Sequence, residues 1–300
     1  MNRDAVAAKI AQFGSIYIPY PPHSDFHAAC DFLLKLGRAT RGQAQKGMRT
    51  LAVTGSGKTT AAVTFVRRFE ALHPRTESYV PIVLIALERA TTAKKLMMSI
   101  LDYFGDNYSS HGNEQTLKKR VKACFERFGT ELLIIDEVQH LNVRHNSQSD
   151  VTDSLKRLLD DGVVPIVFLG TDDALDLFTR NLQLSGRLIA PCDFQKLRVD
   201  SPRDRSLLAG YATLLDQAIV EKGIVPELSG FKDPWVLGCL FKVSDGVVGR
   251  VSRLVGAALE IALHRDATRV EIYDLSLAVD RWAIPNAFVH ANPFLQERPQ

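Results

Sequence analysis

Short apolar runs separated by stretches in which apolar residues recur every three or four positions dominate the first two thirds of the chain. The runs at 80–87, Glu131–Ile135 and Val164–Leu169 have the length and character of strands buried on both faces. A shorter apolar run lies at 49–54. Between and beyond them, helical spacing predicts helices at 59–72, 91–104, 115–128, 149–161 and 172–182, and a last strand is predicted near Asp193–Leu197. In the first of these helices Ala62, Phe65, Val66 and Phe69 share one face. Apolar strands alternating with helices predict an α/β three-layer sandwich with a mostly parallel sheet. Upstream, Ser15–His23 is rich in Tyr and Pro and reads as an extended arm. Ser24 reads as the cap of a helix ending at Gly37, with Phe26, Cys30, Leu33 and Leu34 on one face, and 38–48 as a polar loop.

After Val199 the pattern changes. Ser201-Pro202-Arg203-Asp204 reads as a capping box with proline at the first helical position. The helix it opens ends at Gly223, and further helices are predicted near 233–243, 247–265 and 272–283 with no strand between them. The organisation predicted is an arm over 1–23, an α/β domain over 24–198, a small all-helical domain over 199–284 and an irregular tail over 285–300.

Composition changes this picture little. At 300 residues the chain can bury a sizeable core, and a net charge of +3 permits contact with nucleic acid without demanding it. Cys30, Cys124, Cys192 and Cys239 are far apart in sequence, which excludes a CxxC metal knuckle and suits reduced thiols in a cytoplasmic protein. The N-terminus lacks the apolar core of a signal peptide, and no apolar run has the length of a membrane span.

Chemistry enters with Thr54-Gly55-Ser56-Gly57-Lys58-Thr59-Thr60, which follows an apolar run and opens a helix. That context is the one a phosphate-binding loop requires: backbone N–H groups face the phosphate oxygens, Lys58 neutralises them, and the Thr59 hydroxyl meets Mg²⁺. ATP and Mg²⁺ are the ligands expected. Two registers are open. If the preceding strand stops at Leu51, Ala52 takes the place of the first loop glycine; if the strand runs through Val53, the loop is short, with fewer N–H groups and compromised turnover. The second half of the site is Leu132-Leu133-Ile134-Ile135-Asp136-Glu137, an apolar strand delivering two carboxylates to its C-terminal end. Asp136 is expected to hold Mg²⁺ and Glu137 to polarise the attacking water, making the protein an ATPase.

Three further residues follow by position. Thr171, after the strand Val164–Leu169, is placed to sense the terminal phosphate, although Gly170-Thr171-Asp172 is equally good chemistry for a helix cap. Arg187 is a candidate to reach a neighbouring subunit's nucleotide, and Arg250 to report nucleotide state from the helical domain, with Arg253 as its competitor.

Taken together, Gly57-Lys58-Thr59, Leu132–Glu137, Gly170-Thr171, Gln183–Arg187 and Gly249-Arg250 resemble the AAA+ ATPases of DNA transposition, namely the TniB family and its relative TnsC. Asp136-Glu137-Val138-Gln139-His140-Leu141 carries much of the likeness. The resemblance implies a P-loop AAA+ fold with a helical lid. It implies homo-oligomers, rings or filaments, that assemble with ATP on double-stranded DNA, recruit or activate a transposase and other transposition proteins, and disassemble on hydrolysis. It also implies that Thr171 acts as sensor 1, Arg187 as the trans arginine and Arg250 as sensor 2, and that Tyr17 or Tyr20 stacks near the adenine.

DNA contact needs basic residues along one face. Lys94 and Lys95, and Lys118, Lys119 and Arg120, are the candidates, with Arg144 and His145 weaker ones. The competing functions are a motor or loader ATPase acting on protein partners, and a nucleotide-binding scaffold with little hydrolysis.

Overall fold

The computed structural model describes residues 2–141 and 151–298. The chain divides into two compact units: residues 21–194, and residues 1–20 together with 195–300. In chain order, the second of these contributes α1 (Arg3–Gly14) before the sheet-bearing unit begins. That unit runs α2 (Pro21–Ala39), β1 (Gly47–Leu51), α3 (Lys58–Leu72), β2 (Ile82–Ala86), α4 (Ala93–Tyr103), α5 (Glu114–Arg127), β3 (Leu132–Asp136), α6 (Val151–Asp160), β4 (Ile166–Gly170), α7 (Leu175–Arg180) and α8 (Leu182–Ser185). The other unit then continues with α9 (Pro202–Glu221), α10 (Pro234–Ser244), α11 (Val248–His264) and α12 (Ile272–Ala278).

The four strands are parallel in the order β1-β4-β3-β2. Period-two alternation sends their side chains to two separate cores. Val83, Ile85, Leu133, Ile135, Ile166 and Phe168 pack with residues of α4 to α8. Met48, Ile82, Leu132, Ile134, Val167 and Leu169 pack with α2 and α3. All four residues of 132–135 are wholly buried, which accounts for the unbroken apolar run. The α/β P-loop sandwich expected from the sequence is therefore the fold. Because every strand is parallel, their C-terminal ends gather at one edge, with Leu51 opposite Gly170 and Ala86 opposite Asp136.

The strand expected near Asp193–Leu197 is absent among the described residues. Residues 189–194 instead run along the open edge of β1, where the N–H groups of Ile189, Cys192 and Phe194 donate to the carbonyls of Gly47, Arg49 and Leu51 at 2.8, 3.0 and 3.0 Å. Pro191 has no N–H to offer, and the Leu51 N–H goes to the Asp193 carboxylate at 2.7 Å, so no regular ladder forms. The extended segment at the N-terminus is also shorter than expected. α2 starts at Pro21 rather than after Ser24, since proline suits a first helical turn, and it runs through Gly37 to Ala39. The helix α1 before it was not anticipated, because its pattern is weakly amphipathic.

In the helical unit, α9 begins at Pro202 with half of the expected capping box: the Ser201 hydroxyl accepts the Asp204 N–H, but the Asp204 carboxylate accepts the Arg198 N–H at 2.9 Å, while the Ser201 N–H goes to the Arg198 carbonyl. Its core gathers Leu208, Leu215, Leu240, Val251, Leu254, Leu259 and Leu275, with Val6 and Phe13 of α1. Residues near the C-terminus are bound in as well: Phe294 is buried, and the Asn292 amide donates to Ser276 and Asp280. Among the described residues, no helix is long and apolar enough to cross a membrane.

Candidate nucleotide site

β1 stops at Leu51, and the last rung of its ladder with β4 is the Ala52 N–H, which donates to the Gly170 carbonyl at 3.1 Å. The loop is therefore the six residues 52–57, and the short-loop register is overturned. Only Gly55 and Gly57 in this loop have positive φ, at 87° and 90°. A side chain at Ala52 is thus tolerated where glycine is common, while the two positions that need glycine have it. Gly57 is also the N-cap of α3 and leads straight into Lys58 and Thr59. Thr54 in the loop and Thr60 in the first turn are exposed, and Ser56 is buried.

Lys58 is buried, and its ammonium donates to the carbonyls of Ala52 at 2.7 Å and Val53 at 3.3 Å. Burial lowers its pKa, opposed by the charges of Asp136, Glu137 and Asp172. Under the loop lies His23 of α2. A Cβ on Gly57 would come within 2.7 Å of its Nε2. The ring is 4% exposed, tilts against Phe194 with centroids 5.4 Å apart, and is held near pKa 4, chiefly by burial and against a hydrogen bond with the Ser56 backbone.

Asp136 ends β3 and is 3% exposed. Its Oδ2 accepts the Thr59 hydroxyl at 2.6 Å, and its Oδ1 accepts the Glu137 N–H at 2.8 Å. Burial raises its pKa, and these two hydrogen bonds work against the rise. Glu137 takes a left-handed backbone, φ 60° and ψ 39°, a conformation that costs a non-glycine residue about 1 kcal/mol. The turn throws the chain into a short 3₁₀ helix, Val138–His140, and the Gln139 side-chain amide donates back to the Glu137 carboxylate. Gln139 Oε1 also accepts the Thr171 N–H from beyond β4 at 3.1 Å.

This donor set fits the expected ligands. A hydroxyl and a carboxylate in contact are the hard oxygen ligands that Mg²⁺ takes alongside water and phosphate. Two glycines with left-handed backbone turn a loop at a helix N-terminus, as an anion site requires.

Lys58, Thr59, Asp136 and Glu137 are thus brought together, with Thr171 joined to them through Gln139. The Thr171 hydroxyl donates to Asp173 at 3.0 Å and does not cap the following helix. Arg187 lies elsewhere: its carbonyl pairs with the N–H of Gly47, at the opposite end of β1 from the loop, and its guanidinium pairs with Asp160 at 2.6 Å. Arg250, in the helical unit, sits 4.6 Å above the Phe288 ring, with Asp245 at 3.9 Å. Tyr20 belongs to the same unit, buried edge-on to Tyr211, with its phenol pushed up to about 12 by burial. Lys94 and Lys95 are exposed in the first turn of α4. On α5, Lys118 pairs with Asp161 at 3.1 Å, and Lys119 is exposed. Arg120 pairs with Asp106 and donates to the carbonyls of Tyr108 and His111 at 2.9 and 3.1 Å. Arg144 and His145, and the first residues of the helix expected over 149–161, lie outside the described residues. Neither His23 nor Gln139 was among the expected site residues, although Gln139 lies in the stretch Asp136–Leu141 that carries much of the family likeness.

Solved structures share this fold. The chain resembles the ORC1 protein of Aeropyrum pernix in complex with DNA, with a TM-score of 0.61 and 18% identity over 88% of this chain and 66% of that one. It resembles the ORC2 protein of the same organism, with a TM-score of 0.64 and 17% identity over 89% and 70%. It also resembles Cdc6p from Pyrobaculum aerophilum, with a TM-score of 0.59 and 15% identity over 93% and 71%. The chain spans about two thirds of the length of these proteins, and at such identities the likeness concerns the fold. No curated protein matches. The model of the family described as bacterial TniB protein matches residues 17–195, which include the phosphate loop, the acid pair, Gln139 and Thr171, and the chain belongs to the TniB family.

Proposed function

We propose that this protein is an ATP-hydrolysing AAA+ switch that assembles on double-stranded DNA and regulates transposition by recruiting or activating a transposase. The observation that carries the reading is the contact at 2.6 Å between the Thr59 hydroxyl and the buried Asp136 carboxylate, which joins the phosphate loop to the acid pair at one edge of the sheet. In this reading, Lys58 exchanges its bonds to the Ala52 and Val53 carbonyls for phosphate oxygens. Thr59 and Asp136 would hold magnesium, which would neutralise charge on the phosphates. Glu137 orients the attacking water and takes its proton. Thr171 faces the terminal phosphate.

Arg187, at the opposite end of β1 from its own loop, suits a role toward a neighbouring copy in a ring or filament. Arg250 and Tyr20 are proposed to respond to nucleotide from the helical unit. Family membership supports the transposition role, and the Aeropyrum ORC1 protein in complex with DNA supports a DNA partner. The exposed Lys94 and Lys95 are the favoured phosphate contacts, since contacts of that kind accept any sequence. With reduced thiols at Cys30, Cys124, Cys192 and Cys239, we place the protein in the cytoplasm.

Electron microscopy of the protein with random-sequence duplex DNA, with and without a slowly hydrolysed ATP analogue, tests assembly, DNA binding and nucleotide dependence together. Ordered polymers that need both DNA and the analogue, and that fail to form with Lys58→Ala, are expected. Polymers that ignore nucleotide, or parent-like nucleotide binding by Lys58→Ala, would refute the proposal.

A further inference from the structure

The Gln139 amide makes two hydrogen bonds of opposite sense. Its Nε2 donates to the Glu137 carboxylate, and its Oε1 accepts the backbone N–H of Thr171 at 3.1 Å. The two contacts fix the orientation of the amide. Flipped, its oxygen would face a carboxylate and its NH₂ an N–H, so both bonds would become repulsive. The approach is close because residue 170 is glycine: a Cβ there would lie 3.0 Å from Gln139 Oε1 and 2.8 Å from Val138 Cγ2. Glu137 holds a left-handed backbone at this point, φ 60°, and its carboxylate accepts from Gln139 two residues on. Residues from the ends of two adjacent strands are thereby linked through one side chain.

We propose that Gln139 is a positioning residue. It pins one oxygen of the Glu137 carboxylate against the Thr171 end of β4, leaves the other oxygen for water, and so couples the placement of the base to the strand end that would sense the terminal phosphate. This rests on the hydrolytic reading above and deepens it. A carboxylate released from this tether samples other rotamers, and loss of alignment by about 1 Å can lower turnover on the order of 10²-fold without touching ground-state binding. None of the groups that hold nucleotide in the proposed site is removed by changing Gln139.

Steady-state phosphate release, with random-sequence duplex DNA present, and affinity for a fluorescent ADP analogue are measured for the parent and for Gln139→Ala, Gln139→Met and Gln139→Glu. Methionine keeps the volume, and glutamate keeps the shape and the acceptor but cannot donate to a second carboxylate. All three are expected to lower kcat by about 10- to 100-fold, with KM and ADP affinity within about twofold of the parent. In a Glu137→Gln background, Gln139→Ala is expected to produce no further loss, because both changes disable the same step. A purely structural role predicts parent-like turnover for Gln139→Met, and that result overturns the proposal. So does a full additional loss on top of Glu137→Gln. A parent that releases no phosphate, or whose release is untouched by Glu137→Gln, fails the hydrolytic reading instead, which keeps the two failures distinguishable.

Discussion

Replacing Gly57 by alanine places a methyl carbon 2.7 Å from Nε2 and 3.0 Å from Cε1 of His23. Two separate penalties follow. The first is conformational: φ is 90°, and a side chain in left-handed backbone costs about 1–2 kcal/mol. The second is overlap. His23 is 4% exposed, with Phe194 against its ring and the Ser56 backbone on its polar side, and the strain of overpacking such a site is about 1–3 kcal/mol. Gly57→Ala is therefore expected to destabilise the sheet-bearing unit by about 2–5 kcal/mol. Combining it with His23→Ala should recover the overlap part and leave the conformational part. Urea titration read by amide exchange at β1 and α3 isolates this unit, and a double-mutant cycle gives the coupling. Coupling of about 1–3 kcal/mol between positions 23 and 57 is expected. If the two changes add within about 0.5 kcal/mol, the steric argument fails.

The remaining expectations concern protons, a buried carboxylate and the nucleotide. His23 is held near pKa 4 against an ordinary 6.5, so the unfolded chain takes up a proton first as pH falls. Its contribution is complete above the unfolded value and is lost on descending through the folded one, by about 3 kcal/mol in all. His23→Asn should flatten stability between about pH 6.5 and pH 4, and an unchanged slope would show that another group is responsible. In the helical unit, buried Asp216 accepts the N–H groups of Ser229, Gly230 and Phe231 at 2.8, 2.8 and 3.3 Å. Asp216→Ala should destabilise by about 2–4 kcal/mol in denaturant titration, and a change below about 0.5 kcal/mol would mean that water replaces the carboxylate. For the proposed chemistry, Glu137→Gln should keep ATP binding while phosphate release falls by about 10²-fold or more, whereas Asp136→Asn should also raise the magnesium concentration needed for half-maximal release; both are read by titrating ATP and Mg²⁺ in one phosphate-release assay.

Much of this was legible in one dimension. The run Leu132–Ile135 has the length and β-branched character of a strand covered on both sides, and such a strand delivers Asp136 and Glu137 to an edge. Gly57-Lys58-Thr59 points to a candidate phosphate loop because the chemistry sits in consecutive residues. Where the loop begins was not legible, because Ala52 and Val53 are as apolar as the strand before them. The choice lay with a neighbour: the ladder between β1 and β4 ends on the Ala52 N–H and the Gly170 carbonyl, which leaves the full six-residue loop. The segment 189–194 pairs with β1 yet forms no strand, since Pro191 and the Asp193 carboxylate interrupt the ladder in ways that depend on which edge lies opposite. Helix α1 is stabilised mainly by burying Val6 and Phe13 among helices some two hundred residues away, with Phe13 seated on Gly256.

Sequence thus determined the features written in local periodicity and contiguous motifs: strands, helices, glycines of the loop, and the identity of the acids. Tertiary structure alone decided which unforeseen groups face those motifs, including His23 under Gly57 and Gln139 between Glu137 and Thr171. The reason is physical. A residue's backbone preference depends on its neighbours in the chain, whereas hydrogen-bond partners and steric limits in a close-packed interior depend on which surfaces the fold has brought together.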